Sequence, residues 1–172
     1  IVDSLVVGNF VSTEALAAVG IGDRPVRVLL AIFMGIGTGA TIRISHYVGA
    51  SNRDGVRKVI QTANSMMLVV SIPLTIIGLL LTTPVLQWMN TPPEVMPEAI
   101  SYLSVVFLGV VSLLGYNLNA GILRGLGDSQ SSLLFLIIAT FVNIGLDLLF
   151  VPVLGWGVAG AAWATTIAMT TA

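Results

Sequence analysis

The 172-residue chain has no cysteine. That excludes disulfides and thiolate-held metals, and it leaves the redox compartment open. Charge is almost as scarce. Seven Lys and Arg, eight Asp and Glu and a single His leave the chain 9% charged, against about 25% in a soluble domain. Seven basic residues with a net charge of −1 make no patch large enough for nucleic acid. One histidine, His46, has no partner near it in sequence and reads as an interfacial residue. Long charge-free runs, in contrast, are plentiful.

Apolar residues make up 56% of the sequence, and the mean hydropathy is +1.00. Uncharged runs cover 59–93, 99–123 and 129–146. A spanning helix needs about 20 apolar residues, so each run holds one. The sequence therefore predicts an all-α, polytopic membrane bundle of six helices at about 1–7, 13–49, 57–82, 98–123, 129–151 and 158–172. The first and last read as truncated, so the chain reads as a fragment of a longer protein.

Local signals mark the breaks. Gly8-Asn9 ends the first helix, and Ser12 or Thr13 caps the second, with Glu14 in its first turn. Pro25 and Pro73 predict kinks. Asp23 and Arg27 stand four residues apart, acid first, and so form a helical ion pair; Arg24 has no such local partner. Gly35 and Gly39 give a GxxxG spacing that predicts close helix packing. The prolines at 84, 92, 93 and 97, with Trp88 among them, predict an interfacial loop over 83–98. In 124–129, Gly125 or Gly127 ends one helix and Asp128 or Ser129 caps the next. Arg53, Arg57, Lys58 and Arg124 fall in turns separated by two spans. The positive-inside rule makes the turns at 50–57 and 124–128 cytoplasmic, in a plasma or inner membrane.

The feature that organises the chain is Asp147, the lone acid between residue 129 and the C-terminus. A carboxylate at helix depth costs about 2.5–3.5 kcal/mol on insertion scales and by default marks an ion or proton pathway. Asn143 lies one turn before it, on the same face. At 1.5 Å per residue, Asp147 lies roughly 6–8 Å below the outer surface, Asn143 roughly 12, Thr165 roughly 10, Tyr102 roughly 6 and Asp3 roughly 8. Five polar groups from four helices thus fall in one layer. Their oxygen donors suit a proton or sodium and not zinc or copper. Two carboxylates in a low dielectric cannot both stay charged unless a cation joins them. The plainer alternative is a satisfied structural pair between helices. A hydrolase needs a nucleophile and a base at one depth, and His46 is too far from this layer, so the chain does not read as an enzyme.

The stretches VDSLVVGNFVSTEALAAVGIG, MGIGTGATIRISHYVGA, ILRGLGDS, NIGLDLLF and GVAGAAWAT, in this order and spacing, resemble the N-terminal lobe of multidrug and toxic compound extrusion (MATE) transporters. The resemblance covers essentially the whole chain. It implies one lobe of a two-lobed antiporter that exports amphipathic, often cationic compounds against sodium or protons, with no other cofactor. It places the cation site at Asp3, Asn143, Asp147 and Thr165, with the carbonyl of Ala161 as an added oxygen. It puts Tyr102 beside that site. Asp23, Arg24, Arg27, Arg43 and His46 fall where the family is mostly uncharged, and Arg27 in the substrate cavity would act as a built-in counter-ion. The implied partners are membrane lipid, a drug-like small molecule and a second lobe. The alternative is a lipid-linked sugar flippase of the same superfamily, which would want a basic cavity, with Arg24 and Arg27 to supply it.

Overall fold

The computed structural model describes residues 2–172, apart from the side chains of Val2, Asp3, Leu29 and Ile32. Among these residues the chain is helical with no strand: α1 (Val2–Phe10), α2 (Thr13–Gly49), α3 (Arg53–Trp88), α4 (Met96–Leu108), α5 (Val110–Gly125), α6 (Ser129–Leu148), a π turn (Leu149–Val153) and α7 (Gly157–Thr171). Two segments, Arg53–Trp88 and Ser129–Val153, are long and apolar enough to cross a membrane. Two bent pairs bring the number to four if each counts as one span: Thr13–Val28 with Phe33–Gly49, at 46°, and Met96–Leu108 with Val110–Gly125, at 51°.

The caps settle what the sequence leaves open. The Ser12 hydroxyl accepts from the Ala15 N–H at 3.1 Å and starts α2. The Asp128 carboxylate accepts from the Ser131 N–H at 2.9 Å and starts α6. Gly127 takes the left-handed turn, with φ of 89°, whereas Gly125 is the last residue of α5 and serves packing instead.

Two helices run longer than the sequence reading: α1 continues through Gly8-Asn9 to Phe10, and α3 starts at Arg53, inside the turn expected at 50–57. Three further boundaries differ. The helix expected at 98–123 is two helices, broken at Gly109. A side chain at Gly109 would overlap Thr166 of α7, so the missing Cβ is what lets the break sit against that helix. The loop expected from 83 begins only at Met89, because α3 continues through Pro84 to Trp88. A proline removes a single helical hydrogen bond, and Leu80, whose carbonyl loses its partner there, is on the exposed side. Finally, α6 does not run straight to 151. Pro152 has no N–H for an α-type bond and crowds the carbonyl four residues back. The turn widens, and the Leu154 N–H reaches the Leu149 carbonyl, five residues back, at 3.0 Å.

The GxxxG reading also needs correction. A Cβ at Gly35, Gly37 or Gly39 would meet nothing within 4 Å. The close approach is made by Gly121 and Gly125 of α5, a second GxxxG pair. A Cβ at Gly125 would lie 2.9 Å from the Thr41 carbonyl oxygen and 3.1 Å from Ile44. The Thr41 hydroxyl lies 3.0 Å from the Gly121 carbonyl and the Ser45 hydroxyl 3.2 Å from that of Gly125, so α2 and α5 are joined by polar contacts as well.

The core has three levels. Val7, Ala15, Val19, Tyr102, Val105, Val151 and Ala161 fill one end. Ala18, Leu86, Leu103, Phe107 and Leu114 fill the middle. Ile44, Ala63, Leu118 and Ile122 fill the end that carries the basic turns.

Candidate cation site

Asp147 is completely buried, in a helix whose residues 133–138 are otherwise exposed. Its side chain therefore turns into the bundle and away from the apolar outer surface. Helical periodicity puts Asn143 on the same face one turn below. The Asn143 Nδ2 donates to the Thr165 hydroxyl oxygen at 3.1 Å, which joins α6 to α7 across 22 residues of sequence. Small residues let α7 come this close: Ala161, Ala162, Ala164 and Ala168 are all buried. The Asn143–Thr165 pair lines a cavity of about 180 Å³ together with Tyr116, Ala139, Thr140 and Met169.

Tyr102 is buried in the core level at the end away from the basic segments, which it shares with Ala161. Its ring lies against Gly22 of α2, where a Cβ would come within 2.7 Å of it. Asp147, Tyr102 and Thr165 each make further polar or electrostatic interactions. The side chain of Asp3 lies outside the described residues. Its helix α1 packs on α6, α7 and the π turn.

Arg27 is placed differently from the others. Its side chain is 78% exposed, and its Nε and Nη2 donate to the Asp23 carboxylate at 3.1 and 2.9 Å. The local pairing expected from the i,i+4 spacing is thus formed, and Arg24 is exposed beside it. His46 is exposed at the opposite end of α2, edge-on to Tyr47.

The structure therefore brings Asn143 and Thr165 into direct contact, buries Asp147 one turn away, and sets Tyr102 and Ala161 in the adjoining core. The donors are an amide, a hydroxyl and a carboxylate. These are hard oxygen ligands, which fit sodium or a proton better than a soft metal. Sequence reasoning missed the π turn that begins two residues after Asp147. π turns occur frequently at functional sites, and the signal for this one was Pro152, four residues after Leu148.

The MatE family profile matches residues 1–149. The Bacillus subtilis (strain 168) protein named probable multidrug resistance protein YpnP is 31% identical over 166 residues, covering 96% of this chain and 37% of that protein. Among solved structures, a MATE protein in complex with MaD3S superposes with a TM-score of 0.92 at 30% identity, over 99% of this chain and 38% of that one. A MOP superfamily transporter from Pyrococcus furiosus, described as having a binding pocket of reversed polarity, gives a TM-score of 0.93 at 30% identity, over 99% and 37%. The chain thus spans a little over a third of these relatives, the extent of one lobe of a two-lobed transporter.

Proposed function

Because the chain belongs to the MatE family, we propose that it forms the N-terminal lobe of a multidrug exporter driven by inward flow of sodium or protons. The observation that carries this reading is the complete burial of Asp147 one turn from the Asn143–Thr165 bond. A carboxylate buried at membrane depth is costly and by default marks an ion or proton pathway. A cation held between Asp147 and Asp3, with oxygens from Asn143, Thr165 and the Ala161 carbonyl, favours one arrangement of the helices. An amphipathic compound in the apolar cavity favours the other. Differential affinity of this kind is what couples two ligands.

The protein resides in a membrane. Its basic segments at 50–57 and 124–128, helix ends with the short connections beside them, are assigned to the cytoplasmic side of the cell membrane, where the Lys and Arg bias orients such segments. The flippase reading asks Arg24 and Arg27 to make a cavity basic. Arg27 is paired with Asp23, which leaves less net positive charge to make a cavity basic and favours the exporter.

The deciding experiment uses the full-length transporter in proteoliposomes with sodium and pH gradients imposed separately. Export of a fluorescent cationic dye is expected to follow one gradient and to vanish in Asp147→Asn. Export indifferent to both gradients overturns the reading.

A further inference from the structure

A second cavity, of about 270 Å³, lies toward the basic end of the lobe between α2, α3 and α5. It is distinct from the Asn143–Thr165 layer and shares no lining residue with the cavity there. Its walls are apolar and soft: Leu30, Phe33, Met66, Met67, Leu114 and Leu118. Methionine walls adapt to irregular apolar guests. The volume is at the lower limit of small-molecule sites.

The polar groups at its edge are mostly occupied. The Thr38 hydroxyl bonds the Met34 carbonyl, the Thr41 hydroxyl bonds Gly37 and Gly121, and the Asn117 amide bonds the Leu113 carbonyl. Arg124 differs. It is the one charged residue in the lining, and among the described residues its single hydrogen bond goes to the Ser132 hydroxyl at 3.3 Å. No carboxylate among the described residues is within ion-pair distance of it. The nearest acid in sequence, Asp128, is engaged in capping α6. The same end of the lobe carries Arg43, Arg53, Arg57 and Lys58 against only Asp54 and Asp128. A cationic guest would therefore meet like charge at the mouth, while an acidic head would meet a guanidinium with donors to spare.

We infer that this cavity binds an amphiphile with an acidic head, its tail among Met66, Met67 and Leu118 and its carboxylate or phosphate on Arg124. It gives the lobe a site of opposite charge preference to the cation layer. The inference does not rest on cation coupling and survives if the driving ion is misassigned.

The test is photolabelling of the full-length transporter in phosphatidylcholine vesicles. Three probes with the same diazirine-bearing tail and a carboxylate, trimethylammonium or hydroxyl head are compared. The carboxylate probe is expected to label 63–70 and 114–121 about tenfold more than the ammonium probe, the ratio a single charge-assisted hydrogen bond supports. Arg124→Gln should abolish that preference while the alcohol probe labels as before, and Arg124→Lys should keep most of it. Should Arg124→Gln fail to fold, Met67→Trp fills the cavity and should remove labelling by the carboxylate and alcohol probes alike. Equal labelling by the acidic and cationic probes, or a preference untouched by Arg124→Gln, overturns the inference. So does labelling unchanged by Met67→Trp. Adding phosphatidylglycerol to the vesicles identifies the source: competition assigns the site to bilayer phospholipid, and no competition assigns it to free acids.

Discussion

The Asn143 side chain donates to the Thr165 hydroxyl at 3.1 Å, so one hydrogen bond fastens the C-terminal part of α6 to the middle of α7. The two residues sit on consecutive elements joined through the π turn. Cutting this bond from either side should leave the other partner within a mostly apolar interface.

Asn143→Ala and Thr165→Val are therefore each expected to destabilise the full-length protein by about 1 kcal/mol. Their coupling in a double-mutant cycle should be about 0.6 kcal/mol, the average for hydrogen bonds between membrane helices. Unfolding in bilayers by steric trapping measures both. Cation-driven dye export should fall at least tenfold in each, and a cycle with no coupling would mean that the two do not act as a pair.

Asp147→Asn separates function from structure. The substitution keeps the shape and removes the burial cost of a charge, so thermal stability should be unchanged or higher. Gradient-driven export should be lost. A large fall in stability would instead make Asp147 a structural residue.

The glycines give a packing test. Gly125→Ala pushes a methyl against the Thr41 carbonyl and Ile44 and should cost about 1–3 kcal/mol. Gly35→Ala meets open space in this lobe and should gain about 0.5–1 kcal/mol from helix propensity. An equal cost at both positions in the full-length protein would mean that another helix covers Gly35 there.

Asp128 supplies a pH signature. Hydrogen bonds from the Ser131 hydroxyl and N–H hold its carboxyl below the ordinary value of 3.8. A folded value lower than the unfolded one stabilises at pH above the unfolded value, and the contribution disappears as pH falls through the folded value. Melting curves between pH 2 and 6 should thus show a loss at the acid end that is smaller in Asp128→Asn, which keeps a capping oxygen but has no proton to gain. Identical curves would count against the cap.

The candidate site stands out in the sequence because charge is so rare in it. An acid in an uncharged run, with an amide one turn away, leaves few readings, and depth along alternating helices then gathers Tyr102 and Thr165 to the same level. The helix breaks were harder. Gly109 is one glycine in an apolar run, and only its contact with Thr166, 57 positions on, gives it a role. Gly35 and Gly39 have the same spacing as Gly121 and Gly125, yet only the second pair faces a neighbour. Spacing shows that a helix can be approached and leaves open which side the approach comes from. In the sequence Arg124 reads only as a topology marker, because nothing local places it beside a cavity.

The middle core level brings the bends of α2 and of α4–α5 together against the unbroken α3. Phe33, at the bend of α2, lies with Val110, just past the break at Gly109, and with Leu74, next to Pro73 of α3. The lobe is thus built like a two-storey frame with its joints at one floor. The pillars α2 and α4–α5 are jointed there, while α3 and α6 pass through as single beams. A tilt of the storey that carries Asp147 reaches the Arg124 storey mainly through those unbroken beams, so the stiffness of α3 and α6 sets how far the two cavities move together.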